Sequence, residues 1–159
     1  MRKFAKKLVP AVMLFAAASV FSKEGIYFQS NGKGDSSVIQ QALQSAGYEL
    51  LPPESRKGDA FVVTVIYMTD VQKSNRIVLT GSTSHVSYNC DVGGGKILPL
   101  AIDVGTDIRA NTNLTAKGLV DLQQDAAKPR IAGIIDALRS DDAKDTKNTC
   151  ASLKSRLKL

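Results

Sequence analysis

His85 is the only histidine in the chain, and Ser82, Ser84 and Ser87 stand within three residues of it. A serine nucleophile needs a base beside it and an acid to orient that base. In an extended segment successive side chains alternate, so Ser84 and His85 point apart, and no nucleophile elbow surrounds any of the three serines. His85 therefore reads as a strand residue. Four aspartates, Asp70, Asp91, Asp103 and Asp107, sit near predicted strand ends or turns. Two carboxylates facing each other across a cleft would serve glycoside hydrolysis, but at turns aspartates commonly bond their own backbone, which is the reading taken here. Gly93-Gly94-Gly95 lacks the lysine and hydroxyl of a phosphate-binding loop and reads as a hairpin tip. The Asp141-Asp142-Ala143-Lys144-Asp145 run lacks the spacing and closing glutamate of a calcium loop. With no catalytic, metal or cofactor motif, the expectation is a protein that is not an enzyme and carries no cofactor.

The remaining reactive pair is Cys90 and Cys150. Redox pairs sit two residues apart and structural zinc takes four ligands, so one structural disulfide is expected. The compartment supports it. Arg2, Lys3, Lys6 and Lys7 form a basic head, Leu8 to Phe21 is a short apolar run, and small residues follow: a secretory leader over residues 1–22, with cleavage after Ala18 or Ser22. The run is too short for a comfortable membrane span, and no cysteine stands at its end for lipid attachment. The exported part is expected in the periplasm or medium, touching the membrane only through the leader. Removal of the leader takes four of the 21 basic residues and lowers the formal charge from +6 to +2. No basic stripe remains for nucleic acid. The disulfide closes a loop of about 60 residues, worth ~4 kcal/mol in the chain-entropy account.

These residues need a scaffold. Residues 25–29 predict a strand. A helix follows, capped by Asp35 or Ser36, with Val38, Ile39, Ala42, Leu43 and Ala46 on one face and Gly47 at its end. A short strand over 48–51 stops at Pro52-Pro53. Residues 60–69 form a strand apolar on both faces, hence central. A hairpin over 71–76 leads to a long Ser/Thr-rich strand over 77–90, where Gly81 marks a bulge or bend. Residues 97–104, broken by Pro99, predict an edge strand. Residues 107–117 predict a further strand with Ile108, Ala110, Thr112, Leu114 and Ala116 buried and Arg109, Asn111, Asn113, Thr115 and Lys117 wet. A helix begins between Asp121 and Lys128, with Pro129 in its first turn and Ile131, Ile134, Ile135 and Leu138 inward. Residues 140–149 predict a charged linker. The sum is a single α+β domain over 23–140: an antiparallel-rich sheet of five or six strands, two helices on one face and one disulfide. A polar tail over 141–159 is tethered by Cys150. Asn113-Leu114-Thr115 matches a glycosylation acceptor, but the leader is of bacterial type and the match is assigned no role.

The helix Val38 to Tyr48 (Val-Ile-Gln-Gln-Ala-Leu-Gln-Ser-Ala-Gly-Tyr), a proline break, and the strand Lys57 to Tyr67 (Lys-Gly-Asp-Ala-Phe-Val-Val-Thr-Val-Ile-Tyr) together resemble a phrase of bacterial envelope domains. These are the conjugative surface-exclusion lipoproteins and the curli secretion lipoprotein. The resemblance covers 37–67 and implies a non-catalytic role in envelope assembly through protein–protein binding. A periplasmic immunity or inhibitor protein, neutralising a toxin or a cell-wall hydrolase, is the alternative of a different class. The expected partner face is the wet side of the predicted 107–117 strand, Arg109, Asn111, Asn113 and Lys117, together with His85.

Overall fold

The computed structural model describes residues 24–31, 36–52, 58–72, 77–112 and 115–157. The leader, Asp35, Pro53, residues 73–76, Asn113, Leu114 and the last two residues lie outside that set. In chain order the elements are β1 (Gly25–Ser30), α1 (Ser37–Ser45), β2 (Glu49–Leu51), β3 (Ala60–Gln72), β4 (Ile77–Asp91), β5 (Ile97–Asn111), α2 (Ala116–Arg139) and α3 (Asp141–Leu157). The five strands form one sheet in the order β2-β1-β3-β4-β5. β1 runs parallel to both β2 and β3, and β3-β4-β5 is an antiparallel meander. The architecture is α+β with a mixed, mostly antiparallel sheet, as expected, but with three helices in place of two.

The core lies between the sheet and the helices. Phe61, Val63, Val65 and Tyr67 of β3 alternate onto it, joined by Ile26, Val86, Ile39 and Leu43 of α1, Ile134 and Leu138 of α2, and Ala143 of α3. All three helices therefore cover the same side of the sheet. On the other side, among the described residues, only the β2-β1-β3 end closes into a small cluster, formed by Tyr27, Ala60 and Val62 with Leu51 against them. The glycine turn is the expected hairpin tip: Gly93, Gly94 and Gly95 all adopt positive φ (80°, 60° and 74°), a region open to glycine at little cost. Lys96 N–H donates to the Gly93 carbonyl across it.

Four local expectations change. Residues 97–111 are one strand, so the separate 107–117 strand does not exist, and α2 starts at Ala116 with Thr115 as its cap, whose hydroxyl accepts from Gly118 N–H at 3.0 Å. Pro129 accordingly lies inside a long helix, where it removes one i→i−4 bond. The break in pairing falls between Val86 and Ser87 of β4, opposite Ile102, and not at Gly81. The 140–149 linker is the first half of α3. Ser140 starts it, accepting from Ala143 N–H at 3.1 Å. Asp141 and Asp142 lie at its positive end and Lys154 and Arg156 at its negative end, the arrangement the helix dipole favours.

Candidate functional site

The disulfide forms as expected: Cys90, at the end of β4, is bonded to Cys150, in the middle of α3, with Cα atoms 5.6 Å apart and both residues buried. Asp59 stands beside the sulfurs. Both its oxygens accept from Lys154 Nζ at 2.7 Å, and Oδ1 also accepts from Asp91 N–H at 3.0 Å. Partial burial pulls the Asp59 carboxyl upward, but the Lys154 hydrogen bond, the Asp91 N–H and the lysine's charge outweigh it and hold its pKa below the ordinary value. With the sulfurs bonded to each other and the carboxylate engaged, this group is a staple. Lys147, one helical turn before Cys150, pairs with Glu24 and lies 4.6 Å over the Phe61 ring.

On the helix side, β4 presents Thr80, Ser82 and Ser84, all buried. Small side chains there let α2 come close through Ala126 and Ala127. Gln123 Nε2 donates to Thr69 Oγ1 at 3.4 Å, and Thr69 Oγ1 lies 3.3 Å from Thr80 Oγ1. Arg130 reaches from α2 onto the sheet, donating from Nε to Ser84 Oγ at 2.9 Å and from Nη2 to Asp103 Oδ2 at 3.2 Å. Its guanidinium occupies the space that a side chain at position 105 would fill: a Cβ on Gly105 would meet it at 1.8 Å. A hollow of 340 Å³ opens beside Arg130, walled by Ile102, Asp136, Ala137, Ser140 and Asp142. The Ser140 hydroxyl caps α3, and Asp103 pairs with Arg130.

Among the described residues, nothing covers the opposite side beyond the Tyr27 cluster. Strand register builds it in rows: Thr64–His85–Val104, Ile66–Thr83–Thr106, Met68–Gly81–Ile108 and Asp70–Leu79–Ala110. Ile66, Met68, Val104 and Ile108 are exposed by 41, 57, 61 and 66%. Gly81 leaves a dip in the third row, overhung by Met68 and Ile108, each 3.9 Å from where a Cβ on Gly81 would stand. The resulting groove of 280 Å³ is also lined by Leu79, Asp70 and Thr106. Beside it Thr83 Oγ1 and Thr106 Oγ1 lie 3.1 Å apart.

This arrangement separates the residues expected to share a partner face. His85 is on the open side, whereas Arg109 and Asn111 pair with Thr80 and Val78 and so lie on the helix side. Lys117 is exposed in the first turn of α2, and Asn113 is outside the described residues. The serines divide likewise, with Ser82 and Ser84 behind the sheet from His85. Of the four aspartates, Asp91 makes the expected turn bond, accepting from Gly93 N–H at 2.9 Å. Asp103 pairs with Arg130 and Asp107 with Arg109 at 3.2 Å. Asp70 accepts from Gln72 at 3.3 Å.

The alternation of β5 predicts burial of Ile108 and Ala110, but both are exposed on the open side. No described helix is long and apolar enough to cross a membrane. No family model matches the chain, and no curated protein matches it. Among solved structures it is similar to a minor lipoprotein from Acinetobacter baumannii, at 19% identity over 81% of this chain and 92% of that one, with a TM-score of 0.35.

Proposed function

We propose that the chain is an exported, non-enzymatic protein of the bacterial envelope that works in the periplasm by binding another protein, in envelope assembly. The observation that carries the reading is the apolar groove over Gly81, lined by Met68, Leu79 and Ile108, on a face where Ile66 and Val104 are exposed as well. Contiguous exposed apolar side chains on a small protein mark interaction surfaces. The leader and the buried disulfide support the compartment, and the sequence phrase over 37–67 supports the envelope role.

The test is photo-cross-linking in the cell of origin, with a reactive side chain placed at Ile108 or at Lys128 on the outer face of α2. A discrete product from position 108 and none from 128 is expected. Gly81→Val, which fills the groove from the strand itself, should abolish that product while leaving thermal unfolding unchanged. Products from position 128 alone would overturn the reading. A cross-linked toxin or cell-wall hydrolase would replace envelope assembly with the immunity role.

A further inference from the structure

We propose that the free edge of β5 is self-complementary and that two copies of the chain pair along it, antiparallel, about Thr106. The proposal concerns the sheet's edge and does not depend on what occupies its open face.

Among the described residues β5 ends the sheet and pairs with β4 alone. Its counterpart at the far end, β2, is only three residues long, whereas β5 has fifteen. Exposed edges are ordinarily blunted by charged side chains, proline or a bulge. Pro99 and the irregularity at Ile102 do this for the first third of β5. From Asp103 to Arg109 the register with β4 is regular and there is no proline. The charges there, Asp103, Asp107 and Arg109, are of both signs, so they repel a second copy only in registers that set like against like.

Along such an edge, N–H and C=O groups point outward at alternate residues, so a strand meets its own copy only in registers that place like faces together. Centring the pair on Thr106 sets Asp103 opposite Arg109 of the second copy, Val104 opposite Ile108, and Gly105 opposite Asp107. The side chain standing over Gly105 is the guanidinium of Arg130, so Asp107 of the second copy faces a cation there too. On the helix side Asp103 then meets Arg109 of the second copy, and Asp107 meets the guanidinium of Arg130 over Gly105, each twice by symmetry. The neighbouring registers lose this: centring on Gly105 sets Asp103 against Asp107, and centring on Asp107 sets that residue against itself. Asp103 and Arg109 are both partly open to solvent, at 38 and 43% of their side chains. On the other side, Val104 against Ile108 joins the two apolar strips into one.

A single strand pair is a small interface, so the dimer is expected at a Kd of about 10–100 μM. Sedimentation equilibrium of the purified, oxidised protein from about 5 to about 500 μM should show a monomer–dimer transition. Arg109→Glu faces Asp103 of the second copy with a like charge and should raise Kd about tenfold. Thr106→Cys should form a disulfide-linked dimer on mild oxidation, because position 106 meets itself, whereas Met68→Cys on the open face should not. The Thr106→Cys result stands even where Arg109→Glu fails to fold. A monomer throughout the range would overturn the proposal. So would a dimer that cross-links through position 68 and not through 106.

Discussion

Single side chains in this protein show which charges and hydroxyls contribute to stability. Asp59 joins the loop before β3 to α3 through Lys154. Its carboxyl is held below its unfolded value of 3.8, so its contribution is fully present above that value and disappears as pH falls through the lower folded one. Asp59→Asn should therefore unfold at lower urea than the parent at pH 7, and the gap should close on acidification below about pH 4. Urea titrations at neutral and acid pH check this, and a gap that persists in acid would mean the residue acts through packing instead. Ser82 is the opposite case. Its hydroxyl is fully buried and, among the described residues, has no hydrogen-bond partner. A buried polar atom without a partner costs desolvation with no return. Ser82→Ala should leave stability unchanged or raise it by about 1 kcal/mol, measured by the same titration.

Elements differ in how plainly the residues announce them. β3 and α1 were legible because β3 is an unbroken extended apolar run and α1 keeps one helical period. Phe61, Val63, Val65 and Tyr67 of β3 and Ile39 and Leu43 of α1 face the core, while Ile66 and Met68 of β3 line the open side. α3 was not, because only Ala143 and Cys150 of its residues are buried. They stand two helical turns apart on one face, a signal hidden among charges. What holds α3 is the disulfide, with Lys147 against Glu24 and Phe61 and Lys154 against Asp59. Replacing both cysteines by alanine should cost about 2–4 kcal/mol. Amide exchange over 141–157 should accelerate more than over β3, since the helix loses its principal anchor while the sheet keeps its core. Equal acceleration everywhere would show that α3 and the sheet unfold as one unit. β5 misled in another way. Its alternation is real, but the apolar residues line the open side. The helix-facing positions are Asp103, Asp107 and Arg109, because α2 meets this strand through Arg130, whose guanidinium needs carboxylates and a glycine beneath it. Both sides of this part of the strand therefore meet water: Arg109 and Asn111 are exposed as expected, and Ile108 and Ala110 are exposed as well.

The whole molecule is a sheet with every helix on one side, so two chemically similar residues carry different weight according to the face they occupy. Ile134 is fully buried between α2 and the sheet, and Ile108 is exposed by 66% on the open side. Deleting the same atoms from each separates burial from residue type. Ile134→Ala should cost about 2–5 kcal/mol, the transfer loss of the removed carbons plus the cavity they leave. Ile108→Ala should change stability by no more than about 0.5 kcal/mol, since its side chain already meets water. The two variants, compared in urea at low protein concentration where any self-association is absent, should differ in midpoint and not in slope. If Ile108→Ala costs as much as Ile134→Ala, a segment outside the described residues covers the open side in the monomer. The strip would then belong to the core, and no partner would be needed to account for it.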